Sequence, residues 1–290
     1  MEKRESLTAL LVAAARGLGR GGAKSDRDGA LPVLDPFARR LLPRAVGSAV
    51  GALGSFATTD AGNAAFRALT GGLVHHIELR TLAIDAALLR FLSRTEHAQV
   101  VLLGAGADAR AYRLPELAGK PLYEVDHPST QAEKRARAAG LTPHATLTYV
   151  PVDFEKDSLA RSLDAAGFDR LRPAFVIWEG VTMYLTPAAA KATLAVLRDL
   201  LAVGSALAVT YAMPELSPVP RQTRPLIRAV FSLIGEPLLG LYSPAEMAGL
   251  LATAGFYPRE DTGPLEWAGA HDRPPPVLPV YERLAIATRP

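Results

Sequence analysis

The sequence has no cysteine. Disulfides, thiolate metal sites and cysteine nucleophiles are therefore excluded, and a reducing cytoplasm is the expected setting. Charge of one sign is also lacking: 32 Lys and Arg face 29 Asp and Glu, for a net +3. The arginines are scattered, as in "RLLPR", "RAR" and "RQTR". No basic run alternates with aromatics, so no nucleic-acid partner is expected. No stretch reaches the roughly 18 apolar residues of a membrane span, and no internal repeat is visible. What is abundant is apolar surface, 49% of 290 residues, enough to bury a sizeable core. Length alone leaves one large domain or two small ones open.

The start, "MEKRESLTALLVAAARGLGR", has the charged front of a weak signal peptide. Arg16 and Arg20 follow at once, however, and Leu7, Leu10, Leu11 and Ala14 share one face, which predicts an amphipathic helix. In "DPFARRLLP", Asp35 and Pro36 open a short helix. "GGLVHHIELRTLAIDAALLRFLSR" reads as one long helix with no proline to break it. From residue 98 the pattern changes. "QVVLLG", "PLYEVD", "TLTYVPVDF", "AFVIWEG" and "SALAVTYA" are short β-rich runs separated by helix-like stretches. That alternation predicts an α/β fold with parallel pairing. "FYPRED" and "VYERLAIATR" complete a seven-stranded sheet, and the insert at about 212–242 departs from the alternation.

In "LLGAGADA" the first strand runs into a glycine turn, the geometry of a nucleotide cradle. Ligands of open parallel sheets lie beyond the strands' carboxyl ends. Asp108, Glu124, Asp126, Asp153 and Glu179 stand at four consecutive ends. Repulsion among them would be worsened by a pyrophosphate and relieved by a cation. S-adenosyl-L-methionine, phosphate-free with a sulfonium and an ammonium, is the expected cofactor. The rival is an NAD-dependent oxidoreductase, since "GAGADA" satisfies the dinucleotide pattern with alanine last and Asp126 has about the spacing of a ribose-binding acid. A cofactor-binding protein without catalysis is a third reading.

These residues resemble the leucine carboxyl methyltransferase family in its bacterial small-molecule branch. The likeness includes "LDPFARRLL", "ELRTLAID", "LLGAGADARAYRL", "YEVDHPST" with Lys134 after it, "VDF", "EGVTMYLTP" and "GEPLLGLYSPAEMAGLLATAGF". It implies a Rossmann-like methyltransferase sheet over 96–290, an N-terminal helical cap over 1–95, and the insert as a lid. It further implies that Arg80 binds the cofactor's methionine carboxylate and that Gly104, Ala105 and Gly106 let the backbone approach it. Asp126 would hold the ribose, Asp153 with the Phe154 backbone would read the adenine, and Glu179 would face the amino end. Lys24 falls where the family places a basic residue. Without the family, an arginine fork also suits a carboxylate better than a lysine does.

On the substrate side, the candidates are His75, His76, Tyr184 and Tyr211, with Arg221 and Arg224 as partners for an anionic acceptor. Adjacent histidines diverge by about 100° on a helix, so no metal site is expected. The expected activity is O-methylation of a carboxylate or an acidic hydroxyl on a small metabolite, polyketide-type natural products included. The short apolar insert favours such an acceptor over a protein tail. The oligomeric state stays open.

Overall fold

The computed structural model describes residues 7–18, 35–56, 72–154, 156–215, 224–233, 235–276 and 281–290. Among the described residues, α1 (Leu7–Leu18), α2 (Ala38–Leu41) and α3 (Arg44–Phe56) come first. The long helix expected from the unbroken periodic run follows as α4 (Leu73–Leu92). Then come β1 (Gln99–Leu103), α5 (Arg110–Arg113), β2 (Pro121–Asp126), α6 (Pro128–Arg137), β3 (Thr146–Pro151), α7 (Leu159–Ala165) and β4 (Ala174–Trp178). A 3-10 turn at Thr182–Tyr184 precedes α8 (Pro187–Leu200) and β5 (Ala206–Ala212). The remainder is α9 (Arg224–Leu233), α10 (Pro244–Thr253), β6 (Tyr257–Thr262), α11 (Pro264–Ala270) and β7 (Glu282–Thr288).

The seven strands form one sheet in the order β3-β2-β1-β4-β5-β7-β6. β1 to β5 pair in parallel, as the alternating pattern predicts. The last two depart from it: β7 runs antiparallel to both β5 and β6. β1, β4 and β5 are buried along their whole length, because helices cover both faces. One face packs Val100, Leu102, Leu122, Phe175 and Ile177 under α4 and the N-terminal helices. The other packs Val101, Leu103, Val176 and Tyr211 under α7, α8 and α10. α1 lies against α2, α3 and α4, and α4 contacts β4, β5 and β7, so these helices share one core with the sheet. The edge strands differ from the centre: β6 is largely exposed and has a register shift at Pro258–Glu260, while β3 ends in Pro151.

Gly240 marks where the insert returns to the sheet. Its N–H and that of Leu239 donate to the Met183 carbonyl, at 3.1 and 2.8 Å. A Cβ there would stand 2.5 Å from the Thr182 oxygen and 2.7 Å from the Leu185 oxygen. Both obstacles are backbone, so the turn bearing Tyr184 would have to move. Gly240→Ala is expected to cost about 1–3 kcal/mol of stability, read by chemical denaturation.

Candidate functional site

The turn after β1 is pinned to the end of β2. The Gly104 and Ala105 N–H groups donate to the Val125 carbonyl, at 2.9 and 3.1 Å. Gly106 N–H donates to one oxygen of Asp126, and His127 N–H to the other, at 2.6 Å. Gly104 and Gly106 have φ of +69° and +48°, a region that glycine alone enters cheaply. Space enforces the same choice. A Cβ on Gly104 would stand 2.7 Å from Val181, and one on Gly106 would stand 3.3 Å from Ala9 of α1. Val181 and Ala9 of α1 therefore pack directly on the backbone of this turn, with Asp126 bound to its N–H at Gly106. Burial raises the Asp126 pKa, against the opposing pull of the two N–H donors.

Behind this turn lies a buried lattice of alternating charge. Arg110 is fully buried and binds Asp85 (2.7 Å), Glu179 (2.9 Å) and Asp108. Arg16 of α1 reaches Asp108 at 3.1 Å. Arg80 divides its guanidinium, with Nε and Nη2 on one oxygen of Glu179 at 3.1 and 3.0 Å and Nη1 on both oxygens of Glu282 at 3.0 and 2.8 Å. Arg113 binds Asp85 at 2.5 Å. Four arginines thus face four carboxylates. Burial opposes ionisation of Glu179, but Arg110, Arg80 and Arg16 outweigh it and hold the pKa at about 2. Glu282 is held at about 2 in the same way by Arg80 and His76. Asp108 lies well below the usual range, with Arg110 and Arg16 overriding its burial.

This corrects the expectation of unrelieved repulsion along the rim. A lone carboxylate taken out of water costs several kcal/mol, so the fold supplies counter-charges. Glu124 is not at the rim at all: it is buried one layer deeper, 2.6 Å from Lys134. Its burial, only partly offset by Lys134, pushes its pKa up to about 7. Asp153 binds Lys156 at 2.7 Å, and the adjacent Phe154 is half exposed, an aromatic face left open beside β3.

The substrate-side candidates separate. Tyr184 is partly buried, hydrogen-bonds with Thr8 of α1, and has its pKa pushed up to about 12, mainly by burial. Thr8 also donates to Glu236 of the insert. Three separate segments thus meet at this tyrosine. Tyr211 is corrected: it does not reach the site. Alternation along β5 sends it to the opposite face, where it is fully buried and donates to Asp261 at 2.6 Å, while Thr210 faces Gly180. His75 and His76 are buried, with Nε2 of His75 2.8 Å from the Pro274 carbonyl and Nε2 of His76 2.8 Å from Glu282. His127 caps α6. Lys24 and Arg221 lie outside the described residues, as does the side chain of Arg224. Among the described residues, no three metal-ligating side chains converge, and no helix is long and apolar enough to cross a membrane.

Sequence reasoning missed Arg16, Arg110 and Glu282. Arg110 had a signal, a cation two residues from a buried acid. Glu282 was hidden by direction: β7 is antiparallel, so its first residue, not its last, arrives at the rim.

Two outcomes are expected. Arg110→Met should cost about 3–5 kcal/mol in urea denaturation, because it strands several carboxylates. The depressed pKa of Glu179 and Glu282 means that they stabilise the fold above about pH 4.5, and that this contribution is lost as pH falls toward about 2. Glu179→Gln should therefore flatten the fall in stability between about pH 5 and 3, followed by denaturation at each pH.

Comparison with known proteins gives the kinship. The model of a family described as leucine carboxyl methyltransferase matches residues 9–198. A protein of Mycolicibacterium gilvum, provisionally named an S-adenosyl-L-methionine-dependent methyltransferase, is 38% identical over 213 residues, 70% of this chain and 65% of its own length. A relative from Streptomyces coelicolor with the same provisional name is 33% identical over 82% of this chain and 75% of its own. The chain spans just under two thirds of the length of the M. gilvum protein and of a similar one from Mycolicibacterium vanbaalenii. Among solved structures, a duf574 family protein from Streptomyces avermitilis superimposes with a TM-score of 0.60 at 15% identity, over 99% of this chain and 98% of its own. A Thermobifida fusca protein, provisionally a methyltransferase, gives 0.54 at 21% identity, over 80% and 89%. At such identities these two speak for the fold alone. The family match over well more than half of the sequence does more: this chain belongs to the leucine carboxyl methyltransferase family.

Proposed function

We propose that the chain is an S-adenosyl-L-methionine-dependent O-methyltransferase whose acceptor is a small metabolite bearing a carboxylate or an acidic hydroxyl, polyketide-type natural products included. The observation that carries this is the Arg80–Glu179 contact beside the glycine turn. A guanidinium and a carboxylate side by side offer complementary partners to an amino-acid zwitterion, and Asp126 at the turn offers acceptors to a ribose diol. The absence of side chains at Gly104 and Gly106 suits close approach of whatever packs on this turn, and the open face of Phe154 beside Asp153 suits an adenine. The sulfonium supplies an activated methyl group and a neutral leaving group.

The residues of this chain then have to hold the acceptor in line and keep water out. The meeting of Thr8, Tyr184 and Glu236 supports reading residues 1–95 as a cap and 212–242 as a lid over the acceptor. Tyr184 stays protonated at neutral pH and acts as a hydrogen-bond donor. Both histidines are buried with their Nε2 atoms on Pro274 and Glu282, and Nδ1 of His76, which has no partner among the described residues, is enclosed beside Trp267 and away from solvent. An acceptor that is already ionised fits this best, which favours carboxyl over phenol, whose pKa is near 10.

S-adenosylhomocysteine should raise the thermal midpoint while NAD leaves it unchanged. Response to NAD alone would turn the reading to the oxidoreductase, and binding without transfer across a panel of acids and phenols would turn it to a non-catalytic protein. Asp126→Ala should weaken S-adenosylhomocysteine binding by about 1–3 kcal/mol, measured by calorimetry. With a carboxylic acid acceptor, the transfer rate should be flat between about pH 6 and 9; a rate rising tenfold per unit would indicate a phenol.

A further inference from the structure

Resting on that reading, we infer that Glu282 is a positioning residue that, oriented by His76, fixes Arg80 so that Glu179 is the partner exchanged for the carboxylate of an amino-acid-bearing ligand. Glu282 lies beyond the residues matched by the family model. The two carboxylates hold Arg80 unequally. Glu179 gives a single oxygen to the Nε–Nη2 edge, at 3.1 and 3.0 Å. That edge is satisfied better by a carboxylate presenting two oxygens in parallel. The second oxygen of Glu179 is already on Arg110 at 2.9 Å, so releasing Arg80 does not strand it. Its freed oxygen then accepts from the ligand's ammonium. One carboxylate replaces another at Arg80, one cation replaces another at Glu179, and the charge tally is unchanged.

Glu282 has no such freedom. It is 3% exposed, both its oxygens take Nη1 of Arg80, and Oε2 also takes Nε2 of His76 at 2.8 Å. The imidazole is packed against Trp267, with ring centroids 5.7 Å apart. The backbone of Glu282 is registered opposite Ala212 in β5. Nδ1 of His76 is buried with no hydrogen-bond partner among the described residues. An apolar side chain would avoid that cost, so the ring serves the bond made by its other nitrogen.

The test is calorimetric titration with S-adenosylhomocysteine and with methylthioadenosine, which keeps the nucleoside but lacks the amino-acid end. Glu282→Gln should weaken the first by about tenfold and leave the second within about twofold. His76→Phe, which keeps an aromatic ring against Trp267, should compress the same ratio by about threefold. Equal weakening of both ligands would mean a merely structural role and overturn the inference, as would an unchanged ratio. If Glu282→Gln fails to fold, the ratio in His76→Phe decides in the same way. A wild-type protein that binds neither ligand overturns the methyltransferase reading itself, whereas wild-type binding of both with no change of ratio overturns only the role of Glu282.

Discussion

Removing charge from water is the constraint around which this structure is arranged. Arg110 is wholly buried, and no arginine stays there unless acids surround it. Its partners come from α4, from the glycine turn and from the end of β4, while Arg80 carries the chain of contacts on to β7. Elements distant in sequence are thereby tied at the carboxyl rim of the sheet. An apolar core of the same volume would hold them as firmly. What the ion lattice adds is direction, because each group has a specified partner.

That arrangement changes how the rim is to be understood. Bare negative charge would attract any cation. Paired charge attracts little at long range and favours molecules that replace pairs like for like. Selectivity then rests on matching two opposite charges at a fixed separation. Glu179 sits at the junction, shared by Arg80 and Arg110, as Asp108 is shared by Arg16 and Arg110. Asp126 belongs to a different set: its contacts are backbone N–H groups, which leaves it polar without a dedicated cation.

Much of this was legible in the sequence where the signal is local. The glycine turn, the acid at the end of β2 and the unbroken helix from residue 73 each follow from turn chemistry or periodicity within a few residues. Apart from Arg110, which stands two residues from Asp108, the misses are non-local. Position at the end of β5 makes Tyr211 a candidate for the substrate side, but the parity of β5 relative to the rim, set by its register with β4 and β7, turns it to the other face. Acids at strand ends are visible in the sequence, whereas the arginines that α1, α4 and α5 bring to them are set by the fold. Glu282 went unnoticed because the alternating pattern implied parallel strands, and nothing in "VYERLAIATR" announces reversal. Sequence separation, 202 residues between Arg80 and Glu282, measures how far such a contact lies from any local rule.

Both outer strands carry a proline, Pro258 within β6 and Pro151 at the end of β3, and β6 is further broken by its bulge. A proline has no N–H to offer an incoming backbone, and a bulge twists the ribbon away from it. Lateral growth of the sheet by adding strands from another molecule is therefore discouraged at either margin. A second copy of this chain would have to dock through helices or loops, and the unfolded edge-to-edge stacking that threatens open sheets is checked by two residues that have nothing to do with the chemistry.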